Sequence, residues 1–307
     1  MDPVLLLVQG LNGLQLGVML FLMAACLTLI FGILNVVNLA HGSLYMFGAY
    51  LASVFQEWTG SFVLAVLLAL PATALVGIAV EVVAIRRLYA RDHLDQVLAT
   101  FGLILLFNEL VRVLWGKAAR YMALPAALAG HVQPVPGVRY PVYRLAIVAV
   151  GLLVAVFLYV LITRTRVGML IRAGASNRTM VGALGVNITR LFTLVFGLGA
   201  ALAGLAGVMA GPILSIESGM GEPILILTFV VIVIGGIGSI RGALVAALLV
   251  GLVDTVGRAF LPPLLGTMLP PQAANQAGPA LASMLIYILM AGVLAFRPEG
   301  LFPARAG

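Results

Sequence analysis

Charge is what this 307-residue sequence has least of: 9% of its residues are charged and 63% are hydrophobic. A water-soluble domain carries about 25% charged residues. This chain has too little charge to cover a water-facing surface, and its many apolar runs read as membrane helices. Lysine occurs once, as Lys117 between Gly116 and Ala118, which excludes a Walker A phosphate loop and with it ATP splitting by that route. Cysteine also occurs once, as Cys26 inside an apolar run, which excludes an intramolecular disulfide. His41, His93 and His131 have no metal-ligand spacing, so no metal site is expected, and no hydrolase triad is present. Carboxylates within reach of a membrane are few: Glu81, Glu109 and Asp254 stand at or near span ends. That is a thin supply for the buried relay of a proton- or sodium-coupled carrier. The N-terminus, Met1-Asp2-Pro3, lacks a basic n-region, so the first span is expected to be a permanent helix rather than a cleaved signal.

What is present is a series of apolar stretches broken by arginine. The expected fold is all-α and polytopic, a single transmembrane domain over 1–307 with eight or nine spans. Spans are expected near 10–34, from there to 56, 61–85, 97–115, 142–162, 191–212, 223–238, 243–261 and 280–296. The segment 117–141, with Pro125, Pro134, Pro136 and Pro141, reads as the longest external loop. Residues 262–279 carry Pro262, Pro263, Pro270, Pro271 and Pro279 and are expected to be irregular. The 191–212 helix is rich in small residues, with Gly207 and Gly211 at GxxxG spacing, so it is expected among its neighbours rather than in lipid. The formal net charge of +7 would point to nucleic acid in a soluble protein. Here the arginines lie in short loops, where they set topology and meet anionic lipid, so no nucleic-acid partner is expected. Eleven arginines, from Arg86 through Arg305, fall on one side of this scheme, which predicts an outside N-terminus and an inside C-terminus.

Two stretches resist the span pattern. The first is 164–190, RTRVGMLIRAGASNRTMVGALGVNITR, with Arg164, Arg166, Arg172, Arg178 and Arg190 and no acidic residue. Its Met169, Met180, Leu184 and Val186 recur among small residues, and Gly182 and Gly185 mark where a short helix ends. This is either a docking element on the cytoplasmic face or a solvated, lipid-surface connection. The second is 35–42, where Asn35, Asn38, His41 and Gly42 interrupt one long apolar run. Polar groups in hydrocarbon are costly without partners, so this is either a tight interfacial hairpin or a helix break buried in protein. A later glycine run, Gly235, Gly236, Gly238 and Gly242, follows an apolar span and precedes a helix in the same way. Broken helices at the substrate path are common in transporters with internal repeats.

Four segments together resemble one family. NVVNLAHGSLYMFGAY (35–50), IRAGASNRTMVGALGVN (171–187), GGIGSIRG (235–242) and RPEGLF (297–302) are similar, in order, to segments of the LivH-type permease of branched-chain amino-acid ABC importers. The resemblance implies an importer built from this chain, a second LivM-type permease, two LivG- and LivF-type ATPases and a periplasmic or extracellular binding protein. ATP and magnesium would sit on the ATPases, with no cofactor on this chain, in a bacterial-type inner membrane. It implies that Arg172, Ala173, Ala175, Asn177, Arg178, Met180, Ala183, Leu184, Gly185 and Asn187 couple to the ATPase. It leaves Asn35, Asn38, His41, Gly42, Gly235, Gly236, Gly238 and Gly242 as candidates for the translocation path or a helix break. The family often carries an acidic residue at or near Asn177, which puts a salt bridge from that position in question. Urea, short amides or other amino acids are alternative cargoes of the same machine, and an ATPase-independent carrier is the alternative mechanism.

Overall fold

The computed structural model of the chain describes residues 3–34, 36, 38–133 and 138–302. Asn35, Pro134, Pro136 and Arg305 lie outside the described residues. In hydrocarbon a backbone must satisfy its own hydrogen bonds, so apolar stretches of this length fold as helices. They are α1 (Pro3–Leu34), α2 (His41–Thr59), α3 (Phe62–Val80), α4 (Arg86–Leu88), α5 (His93–Trp115), α6 (Val142–Arg164), α7 (Arg166–Ser176), α8 (Arg178–Ala183), α9 (Ile188–Ala210), α10 (Gly221–Gly235), α11 (Ile240–Leu265) and α12 (Pro271–Phe296). One π-helical turn, Glu81–Ile85, joins α3 to α4. A two-residue antiparallel pair, β1 (His131–Val132) with β2 (Tyr140–Pro141), is the sheet among the described residues.

Seven of the described helices are long and apolar enough to cross a membrane, so the chain is an all-α, multi-pass membrane protein. The expectation of eight or nine spans also counted the stretches now seen as α2 and α10. The 15-residue α10 is too short by itself, and α2 carries His41, Ser43, Ser53 and Gln56 within its length. The apolar windows of α1 and α9 are 83% and 78% buried, against 11% for α12. The centre of the molecule is therefore α1 and α9, and α12 is peripheral. Close packing in α9 follows from its small residues, as expected. A Cβ on Gly207 would collide with the Tyr45 carbonyl, and one on Gly48 with Gly204.

Arg86 and Arg178 reach Thr193 and Phe192 at the start of α9, and Arg241 lies over Tyr159 near the end of α6; these residues mark one end of the bundle, called here the basic end. At the opposite end the loop 116–141 folds over its neighbours: Arg120 pairs with Glu57 and forms a backbone bridge with Ile216, and the Gln56 amide donates to the Ala123 carbonyl. The Glu109–Arg112 pair, 2.6 Å and exposed on both sides, also lies toward this end.

The proline-rich segment 262–279 departs from expectation. It is largely helical, as the last turn of α11 and the first turns of α12. Pro271 occupies a first-turn position, where no amide proton is needed. Pro262 rests on Gly278, where any side chain would clash with its ring. Two helices packed on each other accommodate prolines that would break either one alone.

The candidate docking segment and the helix breaks

The 164–190 stretch forms two short helices at the basic end, and side-chain caps define them. The Thr165 hydroxyl accepts from the Gly168 amide at 3.1 Å, Asn177 Oδ1 from the Met180 amide at 2.9 Å and Asn187 Oδ1 from the Arg190 amide at 3.0 Å. Each cap satisfies a helix N-terminal amide that would otherwise lack a partner. At the other end of α8, the Gly185 amide donates to the Gly182 carbonyl at 3.0 Å and the Val186 amide to Val181 at 3.3 Å. With Gly185 at φ 85°, this is a Schellman stop, which favours glycine because a Cβ there is strained. Asn177 is therefore a cap. A carboxylate at that position would cap equally well, so the departure from the family's acidic residue removes no structural bond.

The burial of this element is inverted relative to a free surface helix. Gly168, Ile171, Gly174 and Val181 face the protein. Gly168 sits directly on the carbonyls of Leu161 and Ile162, which pins α7 to the end of α6. Met169, Met180 and Leu184 face outward with 54%, 59% and 75% of their surface exposed. Arg172, Ala175 and Ala183 are exposed beside them, and Ala173 is half-buried. Arg178 is half-buried, with its guanidinium 5.5 Å above the Phe192 ring. Three exposed large apolar side chains on a capped, pinned element make a rigid apolar surface with a basic border.

Behind α8 lies a polar cluster that spacing did not reveal. Glu81 is wholly buried. Its carboxylate accepts from Arg86 Nε and Nη2 at 3.1 and 2.8 Å, from the Tyr89 hydroxyl at 2.9 Å and from the Thr193 hydroxyl at 2.9 Å. Burial, and then the adjacent Glu81 carboxylate, push the Tyr89 phenol well above its usual range. It therefore stays a donor at physiological pH.

The 35–42 stretch is a break inside the protein rather than an interfacial hairpin. Gly32, near the end of α1, lies against Gly238 at the basic end. His41, the first residue of α2, has the Met23 backbone beside its ring. Met23 is nine residues before Gly32 on α1, about 14 Å at the α-helical rise. The start of α2 therefore lies well back along α1 from its Gly32 end. Level markers agree: Leu44 packs near Gly77 and Ala200, at mid-length of α9. The start of α2 then abuts the start of α10, where Gly42 and Gly221 meet backbone to backbone and no Cβ fits on either. Asn38 Oδ1 accepts from the Ala40 amide at 3.1 Å. Among the described residues Asn38 Nδ2 and Thr28 Oγ1 are buried without a partner, and the His41 ring, also buried, has the Met23 backbone beside it. Asn35 is not among the described residues.

The start of α2 thus meets the start of α10 through Gly42 and Gly221, while the 235–242 glycine run meets the end of α1 through Gly238 and Gly32. Gly235, Gly236, Gly238 and Gly242 form a tight turn at the basic end, with Gly236 and Gly238 at φ 99° and 84°. The Ser239 hydroxyl caps α11 by accepting from the Gly242 amide at 3.1 Å. The 297–302 tail closes over this turn, with the Leu301 amide donating to Ile234 at 2.8 Å and Phe302 to Gly235 at 3.1 Å. Two motifs far apart in sequence thus make one structural unit away from the α2–α10 junction.

Comparison with known proteins identifies the family. Residues 10–294 match the model of a family described as the branched-chain amino acid transport system permease component. The high-affinity branched-chain amino acid transport system permease protein BraD of Pseudomonas aeruginosa is 30% identical, the match covering 95% of this chain and 94% of BraD. LivH of Escherichia coli, a permease of the same description, is 29% identical over 82% of this chain and 86% of its own. A probable branched-chain amino acid transport permease, LivH of Methanocaldococcus jannaschii, is 27% identical over 81% and 80%. No solved structure matches the chain. Both the extent of the family match and the BraD identity lead to one conclusion: this chain belongs to the branched-chain amino acid transport system permease family.

Proposed function

We propose that this chain is one of two permease subunits of an ATP-driven importer for branched-chain or other hydrophobic amino acids. One observation carries the reading: a rigid, capped pair of helices presents Met169, Met180 and Leu184 to solvent at the arginine-rich end of a membrane protein that has no phosphate loop. An amphipathic helix with apolar anchors at i and i+4 fits a groove on a partner, here an ATPase. Arginine bias puts this end in the cytoplasm, with the N-terminus outside. The partners are a LivM-type permease, two LivG- and LivF-type ATPases that hold ATP and magnesium, and a binding protein that delivers substrate at the opposite end.

The path is proposed to pass the α2–α10 junction. Buried polar atoms without partners are rare in folded proteins and point to water or a polar ligand. Thr28 on α1 and Asn38, in the turn that leads into α2 at His41, supply such atoms. The binding protein is expected to set most of the selectivity.

The test is uptake of radiolabelled leucine into cells expressing the chain with its partner subunits, with and without both ATPases. ATP-dependent leucine uptake that vanishes with the ATPases supports the reading. Uptake that persists without them identifies a stand-alone carrier, and uptake of urea or amides in place of leucine reassigns the cargo. Orientation is checked with single cysteines at Ser176 and Ala127 in a Cys26→Ala background, which should label from opposite sides of the membrane.

A further inference from the structure

An ATPase that grips α8 can drive transport only if displacement of α8 reaches the membrane helices without being lost to side-chain slack. In the described residues one contiguous set of contacts meets that demand. The Arg178 guanidinium of α8 lies 5.5 Å above Phe192 of α9. Phe192 meets Tyr89 edge to face, with centroids 5.6 Å apart and planes at 87°. The Tyr89 hydroxyl donates to Glu81 at 2.9 Å. Glu81 then binds Arg86 on one side and Thr193 of α9 on the other, and Arg86 Nη2 also donates to Thr193 at 2.8 Å.

The local backbone is shaped for this contact. Residues five apart lie about 140° apart around an α-helix, which would point Glu81 and Arg86 away from one another. The π turn over Glu81–Ile85 widens the helix and brings them together. Such single π turns recur at functional sites, because they exchange regular hydrogen bonding for a specific side-chain placement. A fully buried carboxylate is costly unless its partners are all in place, so the cluster holds α3 and α9 in one arrangement. Beyond it the two helices stay locked: Gly77 sits under Ala200 and Gly204 under Thr73. Helix α9 in turn packs through Gly204 and Gly207 on Gly48 and Tyr45 of α2, the helix that opens at His41.

We propose that the Glu81–Arg86–Tyr89–Thr193 cluster is the joint that transmits displacement of α8 to the α3–α9 pair and so to the α2 break, these four side chains acting as positioning residues for transport. The proposal rests on the importer reading above. It goes beyond docking, because docking alone needs only the exposed face of α7 and α8. A purely structural cluster would change how much complex forms; a joint changes how much transport each ATP hydrolysed produces.

The experiment uses the complete complex in nanodiscs and liposomes with its ATPases and binding protein. Tyr89→Phe and Thr193→Val each remove one hydrogen bond and keep the shape, and Glu81→Gln removes the charge. For Tyr89→Phe and Thr193→Val, co-purified ATPases and thermal unfolding should match wild type. Uptake per ATP hydrolysed should fall roughly 3- to 30-fold, the range of energetic coupling through a shared network. Arg178→Ala combined with Tyr89→Phe should show a non-additive loss, since the two residues act in one chain of contacts. Glu81→Asp should restore part of what Glu81→Gln loses, and if Glu81→Gln fails to assemble, the two milder variants carry the test. Uptake that merely tracks the amount of assembled complex, with transport per ATP unchanged, overturns the joint while leaving the importer reading intact. A wild-type complex without ATP-driven uptake overturns the importer reading and the joint with it.

Discussion

Two segments of this chain depart from the usual rule of burial, in opposite senses. In the α7–α8 element the polar groups are satisfied and the apolar ones are left out: Thr165, Asn177 and Asn187 each cap a helix, while Met180 and Leu184 face solvent. At the α2 break the polar groups are taken in: Asn38 and His41 are 1% and 0% exposed, Asn38 Nδ2 has no acceptor among the described residues, and the His41 ring has the Met23 backbone beside it. The first pattern is the surface proposed to meet a protein partner. The second is the interior proposed to border the path. Both belong to one helical framework around α1 and α9.

The largest effect should come from damaging the finished surface. Ala183 is exposed beside Leu184, and an aspartate there would place an unpaired charge in the ATPase groove. Ala183→Asp should leave the two permeases associated, lose or uncouple the ATPases and abolish leucine uptake. An intact, fully coupled complex would return α8 to the role of a solvated connection.

Next in size is Gly185→Val. At φ 85° a β-branched residue costs on the order of 1–3 kcal/mol of backbone strain, while open space around the position removes any steric explanation. ATPase retention on an affinity column should fall several-fold. Gly182→Ala, inside α8 and under no positive φ, should retain the ATPases, and equal losses in the two variants would show that size rather than backbone conformation decides.

At the break, Asn38→Ala should lower uptake several-fold while assembly survives. It removes an orphan Nδ2 but also the acceptor for the Ala40 amide, and leaving that amide bare costs about 1–3 kcal/mol. Asn38→Asp keeps the acceptor and lacks the donor. Separate uptake values for the two variants sharpen the comparison: recovery with aspartate identifies a brace, and continued loss identifies a donor used by the passing substrate. Wild-type uptake in Asn38→Ala and His41→Ala would remove the path from this junction.

The smallest effect belongs to the cap. Asn177→Ala should cost about 1 kcal/mol of local helix stability and give a modest fall in ATPase retention, whereas Asn177→Asp should be close to wild type. A loss with aspartate as large as that with alanine would contradict the capping role.

Much of this was legible in the sequence, and the reasons are local. The helix end marked by Gly185 was legible because a positive-φ stop depends on a few neighbouring residues. The caps Asn177 and Asn187 are equally local signals, yet in the sequence they read only as coupling residues. The burial of α9 followed from its glycines, and the long loop after α5 from its prolines. Features that need a distant partner were not legible. A hairpin and a buried break share one pattern of Asn, His and Gly, and only the position of His41 beside Met23 separates them. The helical state of 262–279 depends on Pro262 finding Gly278. The likeness of the 35–42 and 235–242 runs was one of composition, while the contact runs from Gly42 to Gly221. The Glu81 cluster depends on a π turn, which no spacing rule announces. The half-burial of Arg178 depends on the ring of Phe192, fourteen residues on in the next long helix.

The most direct measurement concerns the exposed face of α8. Single cysteines at Met180 and Leu184, in a Cys26→Ala background, should react quickly with a membrane-impermeant thiol reagent on inside-out vesicles that carry the permease pair alone. Once the ATPases are bound, labelling at these two positions should fall at least several-fold, while a cysteine at Glu299, exposed at the same end on the tail after α12, should keep its rate. Equal labelling at Met180 and Leu184 with and without bound ATPases would contradict the claim that this surface is where the ATPase takes hold.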